Sequence, residues 1–87
     1  MEVKLLEDAD ADLLFWKRSG NKAIQKKINQ LLKAIQESPF SGIGKPEALK
    51  YELSGKWSRR ISKEDRLVYE IDENTNLILV HSLRGHY

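Results

Sequence analysis

From Asn21 onward the apolar residues Ile24, Ile28, Leu31, Leu32 and Ile35 recur at i, i+4, i+7, i+8 and i+11. That spacing puts them on one face of an α-helix, which Pro39 stops. Ahead of it, Val3, Leu5 and Leu6 form a short apolar run that reads as a strand. The following Asp8-Ala-Asp-Ala-Asp opens a first helix, where an early Asp is expected to cap the end and the other acids favour the N-terminal dipole. This helix should end near Ser19-Gly20. Between Pro39 and Leu53, the turn-makers Gly42, Gly44 and Pro46 mark an ordered loop crossing from helix to sheet. Beyond it, Trp57 to Ser62, Arg66 to Asp72 and Leu77 to Leu83 have strand character, with an extra short strand expected near Tyr51 to Leu53. Lys63-Glu64-Asp65 and Glu73-Asn74-Thr75-Asn76 separate them at hairpin length.

The implied architecture is α+β, in the order β-α-α-β-β-β(-β), with two N-terminal helices packed on one face of a mainly antiparallel sheet. One domain spanning residues 1–87 is the simplest organisation, since no repeat, low-complexity tract or linker interrupts the pattern. Period-two alternation assigns the sheet faces. Along Arg66 to Asp72, Leu67, Tyr69 and Ile71 point one way while Arg66, Val68 and Glu70 point the other, and Arg60 likewise opposes Arg59 and Ile61. A helix-free face carrying arginines, ringed by the basic loop, would suit an RNA backbone. It would also suit plain solvation, as open antiparallel sheets often do.

Charge sharpens this picture. The net charge of +2 is unevenly spread. Met1 to Trp16 holds one Lys and five acids, net −4; Lys17 to Tyr69 holds thirteen Lys and Arg against five acids, net +8; Glu70 to Tyr87 holds one Arg and three acids, net −2. A basic middle favours a polyanion through counterion release. With no cysteine, the chain has no disulfides, thiol catalysis or thiolate metal sites. Two histidines, His81 and His86, without an H-E-x-x-H pattern give no zinc signature, so no metal or other cofactor is expected. No apolar stretch is long enough for a membrane span and no secretory signal is visible, so the expected location is cytoplasmic.

Cleaving RNA without a metal requires a base for the 2′-hydroxyl proton, an acid for the departing 5′-oxygen, and fixed positive charge for the phosphorane. Glu47, between Lys45 and Lys50, supplies a carboxylate base. Arg60 and Arg66 offer bidentate phosphate contacts. His86 is the side-chain type poised to exchange protons near neutral pH. Tyr87 adds an aromatic plane and a phenol. Taken singly, each has an ordinary structural explanation: a surface ion pair, solvated strand arginines, a frayed His-Tyr tail. Trp57 and Tyr69 read as core, Trp16 with Phe15 as helix packing, and His81 as a hydrogen-bonded structural histidine. Composition and spacing alone therefore reach a basic α+β domain suited to RNA.

From Val3 to Tyr87 the chain resembles the YoeB/Txe family of bacterial toxins, within the RelE-like toxin superfamily. Its most specific stretch is P-F-S-G-I-G-K-P-E-A-L-K-Y-E-L-S-G-K-W-S-R-R-I, Pro39 to Ile61, followed by E-D-R-L-V-Y, Glu64 to Tyr69, and a closing H-Y. The resemblance implies a toxin of a type II toxin-antitoxin pair that cleaves mRNA in the ribosomal A site and so inhibits translation. It implies Glu47 as general base, His86 as general acid and Arg66 as the arginine stabilising the phosphorane. Lys50 and Arg60 would hold the scissile phosphate and Tyr87 would orient substrate. It further implies an acidic antitoxin partner, a homodimer, and contact with DNA only through the antitoxin complex. Gly85 and Tyr51 depart from some relatives. A non-catalytic RNA- or ribosome-binding module and a gyrase-targeting toxin of the same superfamily are the alternative functions. In the nuclease reading, the final strand should deliver His86 beside Arg66 on the helix-free face, within reach of a phosphate shared with Glu47.

Overall fold

The computed structural model of the chain describes Met1 to Gly85. Strand β1 (Glu2–Leu5) runs directly into α1 (Glu7–Ser19), followed by α2 (Lys22–Glu37), a short β2 (Glu47–Ala48), a 3-10 turn (Tyr51–Leu53), β3 (Trp57–Arg60), β4 (Arg66–Asp72) and β5 (Leu77–Ser82). The sheet order is β1-β5-β4-β3-β2. β1 is parallel to β5 and the other three pairings are antiparallel. The expected α+β architecture, with two helices on one face of a mainly antiparallel sheet, is therefore the one found.

Local chemistry explains the helix ends. Contrary to expectation, no aspartate caps α1: Leu6 occupies the cap without a side-chain bond, because the chain turns straight out of β1, with Leu6 N bonded to Val80 O. Glu7, Asp8 and Asp10 still sit in the first turn, where their negative charge complements the positive end of the dipole. Gly20 closes α1 in the left-handed conformation at φ 71°. Asn21 then caps α2, its Oδ1 accepting from Ile24 N at 3.1 Å. At the far end Ser38, which precedes Pro39, is extended and ends the helix.

The periodic residues Ile28, Leu31 and Ile35 of α2 are fully buried, and with Ala9 and Trp16 of α1 they pack on Leu67, Tyr69, Ile78, Val80 and Leu83. Each such aliphatic burial stabilises by roughly 1.5–3 kcal/mol. α1 also clamps the end of β5: Trp16 Nε1 donates to Leu83 O at 2.8 Å, and Leu83 N donates to Asp12 Oδ2 at 2.9 Å. Phe15 is only half-packed, edge-on to Trp16 and beneath the Arg84 guanidinium, 3.7 Å from its ring centre.

The extra strand expected at Tyr51 to Leu53 is instead a 3-10 turn, and the short strand lies earlier, at Glu47–Ala48 opposite Ser58 and Trp57. Tyr51 has φ 57°, outside the strand region, and the turn closes on itself through Leu53 N to Lys50 O and Ser54 N to Tyr51 O. β3 is also shorter than expected. It stops at Arg60 because Ile61 N and Ser62 N both turn onto Asp65 O.

Candidate functional site

Register fixes which side chains share a face, since directly paired residues point the same way. Leu67 and Tyr69 face the helices, so Arg66, Val68 and Glu70 face away from them. Pairing then carries Ser58 and Arg60 of β3, and Glu47 of β2, onto this helix-free face. Glu47, Ser58, Val68 and Ser82 form one row across four strands, and Arg60 with Arg66 forms part of the next row. Ser58 and Val68 are buried, whereas Glu47, Lys50 and Arg60 are exposed and Arg66 is half-buried.

The two arginines stand directly opposite each other in the ladder. Cβ atoms at such positions lie about 5 Å apart, and like charges there repel. An anion between the two guanidinium groups would remove that cost. Glu47 is the diagonal neighbour of Arg60, within about 8 Å, and lies two strands across and two residues along from Arg66, about 12 Å away. The face thus carries a carboxylate and two arginines in adjacent rows. Lys50 lies just past β2 and shares with Glu47 an open pocket of about 370 Å³ that is bounded by Glu47 to Leu53.

Arg66 is oriented before any ligand arrives. Its Nη1 donates to Ser62 O at 2.9 Å, Asp65 O at 3.1 Å and Lys63 O at 3.3 Å, all carbonyls of the β3–β4 turn. That turn is braced by Asp65, whose Oδ2 accepts from Ser62 Oγ at 2.8 Å. Asp65 reaches further: its Oδ1 accepts from Gly85 N at 2.8 Å, and Arg66 N donates to Gly85 O at 3.1 Å. Chain entering and leaving this corner is therefore tied together beside Arg66. His86 and Tyr87 lie outside the described residues.

Two contributors escaped the sequence reading. Asp65 could have been found from the Ser62-x-x-Asp65 spacing of a side-chain-closed turn. Arg59 could not. It is fully buried on the helix side, where Nη2 donates to Ser38 O at 2.7 Å and Ser41 O at 2.8 Å, Nη1 to Ile43 O at 3.1 Å, and Nε to Tyr69 Oη at 3.2 Å. Tyr69 in turn donates to Pro39 O at 2.6 Å, and burial raises its phenol above the ordinary value of 10.0 while the Arg59 hydrogen bond and charge oppose this. Together they shape the loop that leads into Glu47. Gly44, at φ 85°, fits this loop against Leu31 and Arg59, where a Cβ would meet Leu31 Cδ2 at 2.7 Å.

His81 is not at this corner. Its Nε2 lies 2.6 Å from Glu70 Oε1, the structural pairing expected for it. Glu70 is four residues along β4 from Arg66, roughly 13 Å away. Among the described residues no group of three or more His, Asp or Glu side chains could hold a metal ion, and no helix is long and apolar enough to cross a membrane.

The model of the YoeB-like toxin of bacterial type II toxin-antitoxin systems matches residues 6–87. A curated relative, the toxin YoeB of Synechocystis sp., is 54% identical over 87 residues, covering 100% of this chain and 98% of that protein. The solved YoeB/ParE toxin from Agrobacterium tumefaciens superposes with a TM-score of 0.95 at 37% identity, covering 100% of both chains. YoeB from Staphylococcus aureus has been solved as a dimer, TM-score 0.89 at 41% identity, and in a heterotetrameric YoeB-YefM toxin-antitoxin complex, TM-score 0.87 at 41% identity; each covers 100% of this chain and 98% of that one.

Proposed function

The chain belongs to the YoeB-like toxins of bacterial type II toxin-antitoxin systems, and from that membership we propose that it is a metal-independent endoribonuclease that cuts mRNA in the ribosomal A site. The observation that carries the reading is the juxtaposition of Arg60 and Arg66 across the β3–β4 pair, with Glu47 on the same face. A scissile phosphate seated between the guanidinium groups leaves Glu47 on one side to take the 2′-hydroxyl proton. The oxygen then attacks phosphorus, charge builds on the phosphorane oxygens, and Arg66, already oriented by the turn carbonyls, stabilises it. The 5′-oxygen leaves with a proton from His86. The tie between Gly85 and the Arg66 backbone supports that role, because it anchors the preceding residue at the phosphate corner. Lys50 and Arg60 hold the substrate and Tyr87 orients it.

The partners in this reading are the ribosome, its bound mRNA, and an acidic antitoxin. The YoeB-YefM complex of the Staphylococcus aureus relative supports an antitoxin partner, and the dimer of that relative supports a homodimer. DNA would be reached through the antitoxin complex alone, and the protein would work in the cytoplasm. Toeprinting of a translated message with purified protein tests the assignment. Glu47→Ala, Arg66→Ala and His86→Ala are each expected to slow cutting by about 10²–10⁴-fold, the size of a general acid-base or charge-stabilising contribution. Cutting at the wild-type rate by Glu47→Ala or His86→Ala would sink the roles given to them. Removing His86 and Tyr87 together should abolish cleavage in the nuclease reading and leave a pure binding module intact.

A further inference from the structure

We propose that Tyr51, at the pocket bounded by Glu47 to Leu53, is the stacking surface for a nucleobase next to the cleaved phosphate; this rests on the nuclease reading above. The first observation is exposure. Tyr51 is 86% exposed, while Trp16 and Tyr69 are buried, Trp57 packs against Phe40, and Phe15 lies between Trp16 and Arg84. A bare aromatic ring gains nothing from water and has a large face to offer.

The second is backbone geometry. A bulky residue at φ 57° is an outlier that costs about 1 kcal/mol or more and persists only where surrounding bonds hold it. Here they do: Leu49 N to Lys56 O, Leu53 N to Lys50 O and Lys56 N to Leu53 O lock both ends of the turn. The strain aims the ring outward at a fixed position after Glu47 and Lys50. The third is charge. Glu47 and Lys50 flank the scissile phosphate in the nuclease reading, but the Tyr51 to Leu53 end of the pocket carries the Glu52 carboxylate and no cation, which disfavours a second phosphate there and leaves a neutral base as the fitting occupant. With the phosphate between Arg60 and Arg66, an adjoining base reaches the pocket past Glu47. Base–aromatic stacking tolerates every base, so Tyr51 would supply affinity and orientation at the cut site.

The test titrates the full chain with a 2′-O-methyl trinucleotide, which cannot be cut, and follows the Tyr51 ring protons by NMR, with inorganic phosphate as the control. Stacking predicts upfield movement with the oligonucleotide and none with phosphate. Tyr51→Phe should bind within about twofold of wild type, whereas Tyr51→Ala and Tyr51→Gly should each lose roughly tenfold. Glycine relaxes the left-handed backbone while removing the ring, so wild-type binding by Tyr51→Gly would overturn the proposal, as would ring protons that stay put. Ring movement in a protein that does not cut ribosome-bound mRNA would refute the nuclease reading and leave the base site standing. Wild-type cutting, with unchanged kcat/KM and cut positions in Tyr51→Gly, would do the reverse.

Discussion

Arg59 and Arg60 are adjacent in sequence and opposite in circumstance. On the helix side, Arg59 is fully buried and spends its guanidinium on three carbonyls and a phenol. On the other side, Arg60 is exposed and faces a second arginine across the ladder. One face has satisfied its polar groups internally and is closed to ligands. The other leaves like charges together, an arrangement that costs stability unless an anion arrives. The same side chain is thus buried and hydrogen-bonded, or exposed and open to an anion, according to which face of one strand it occupies.

The contrast can be broken most forcefully at Arg59. Arg59→Leu strands the carbonyls of Ser38, Ser41 and Ile43 and should cost about 3 kcal/mol or more in urea denaturation. A loss below about 1 kcal/mol would mean the loop is held by something else. Tyr69→Phe is smaller, about 1–2 kcal/mol, since it removes the bond to Pro39 O and the acceptor of Arg59 Nε. It also has a pH signature. Because folding raises the Tyr69 phenol, the stabilisation it brings is complete below the unfolded value of 10.0 and is lost as pH climbs from there through the folded value. The urea midpoint of wild type should therefore fall over that alkaline range, and Tyr69→Phe should fall less steeply. Smallest of all is Arg60→Gln. It should change stability by no more than about 0.5 kcal/mol, with a gain as the expected sign because a repulsion disappears, while cutting suffers. A large destabilisation would erase the distinction between the two arginines.

These faces were legible in the sequence to different depths. The α2 stripe and the alternation along β4 are strong periodic signals, and Ile28, Leu31, Ile35, Leu67 and Tyr69 are indeed the buried set. Alternation also separated Arg59 from Arg60. It gave no sign that a guanidinium could be buried, because the carbonyls that accept from it belong to a loop distant in sequence. The turn at Tyr51 was missed because Tyr-Glu-Leu imitates a strand over three residues and nothing in it announces a left-handed backbone. The absent aspartate cap on α1 has a similar cause: a strand running straight into the helix leaves no room for one. Glu47 could be picked as a carboxylate between lysines but no more firmly than a surface ion pair, and Lys50 stood out only through the family resemblance, whereas the facing of Arg60 and Arg66 follows from register.

The position of β5 carries a consequence for how the molecule comes into being. Among the described residues it follows every other element in chain order, yet lies between β1 and β4, with Glu2 of β1 paired to Leu77. As the chain is synthesised, β1 has no neighbour to zip against and Trp16 no carbonyl to bind until β5 and Leu83 emerge. Closing so long a loop is entropically slow, and little is gained along the way. The Gly85 bond beside Arg66 forms in the same late event. Fold and candidate site thus mature together, and a ribosome making this protein meets no finished copy of it while most of the chain is still being added.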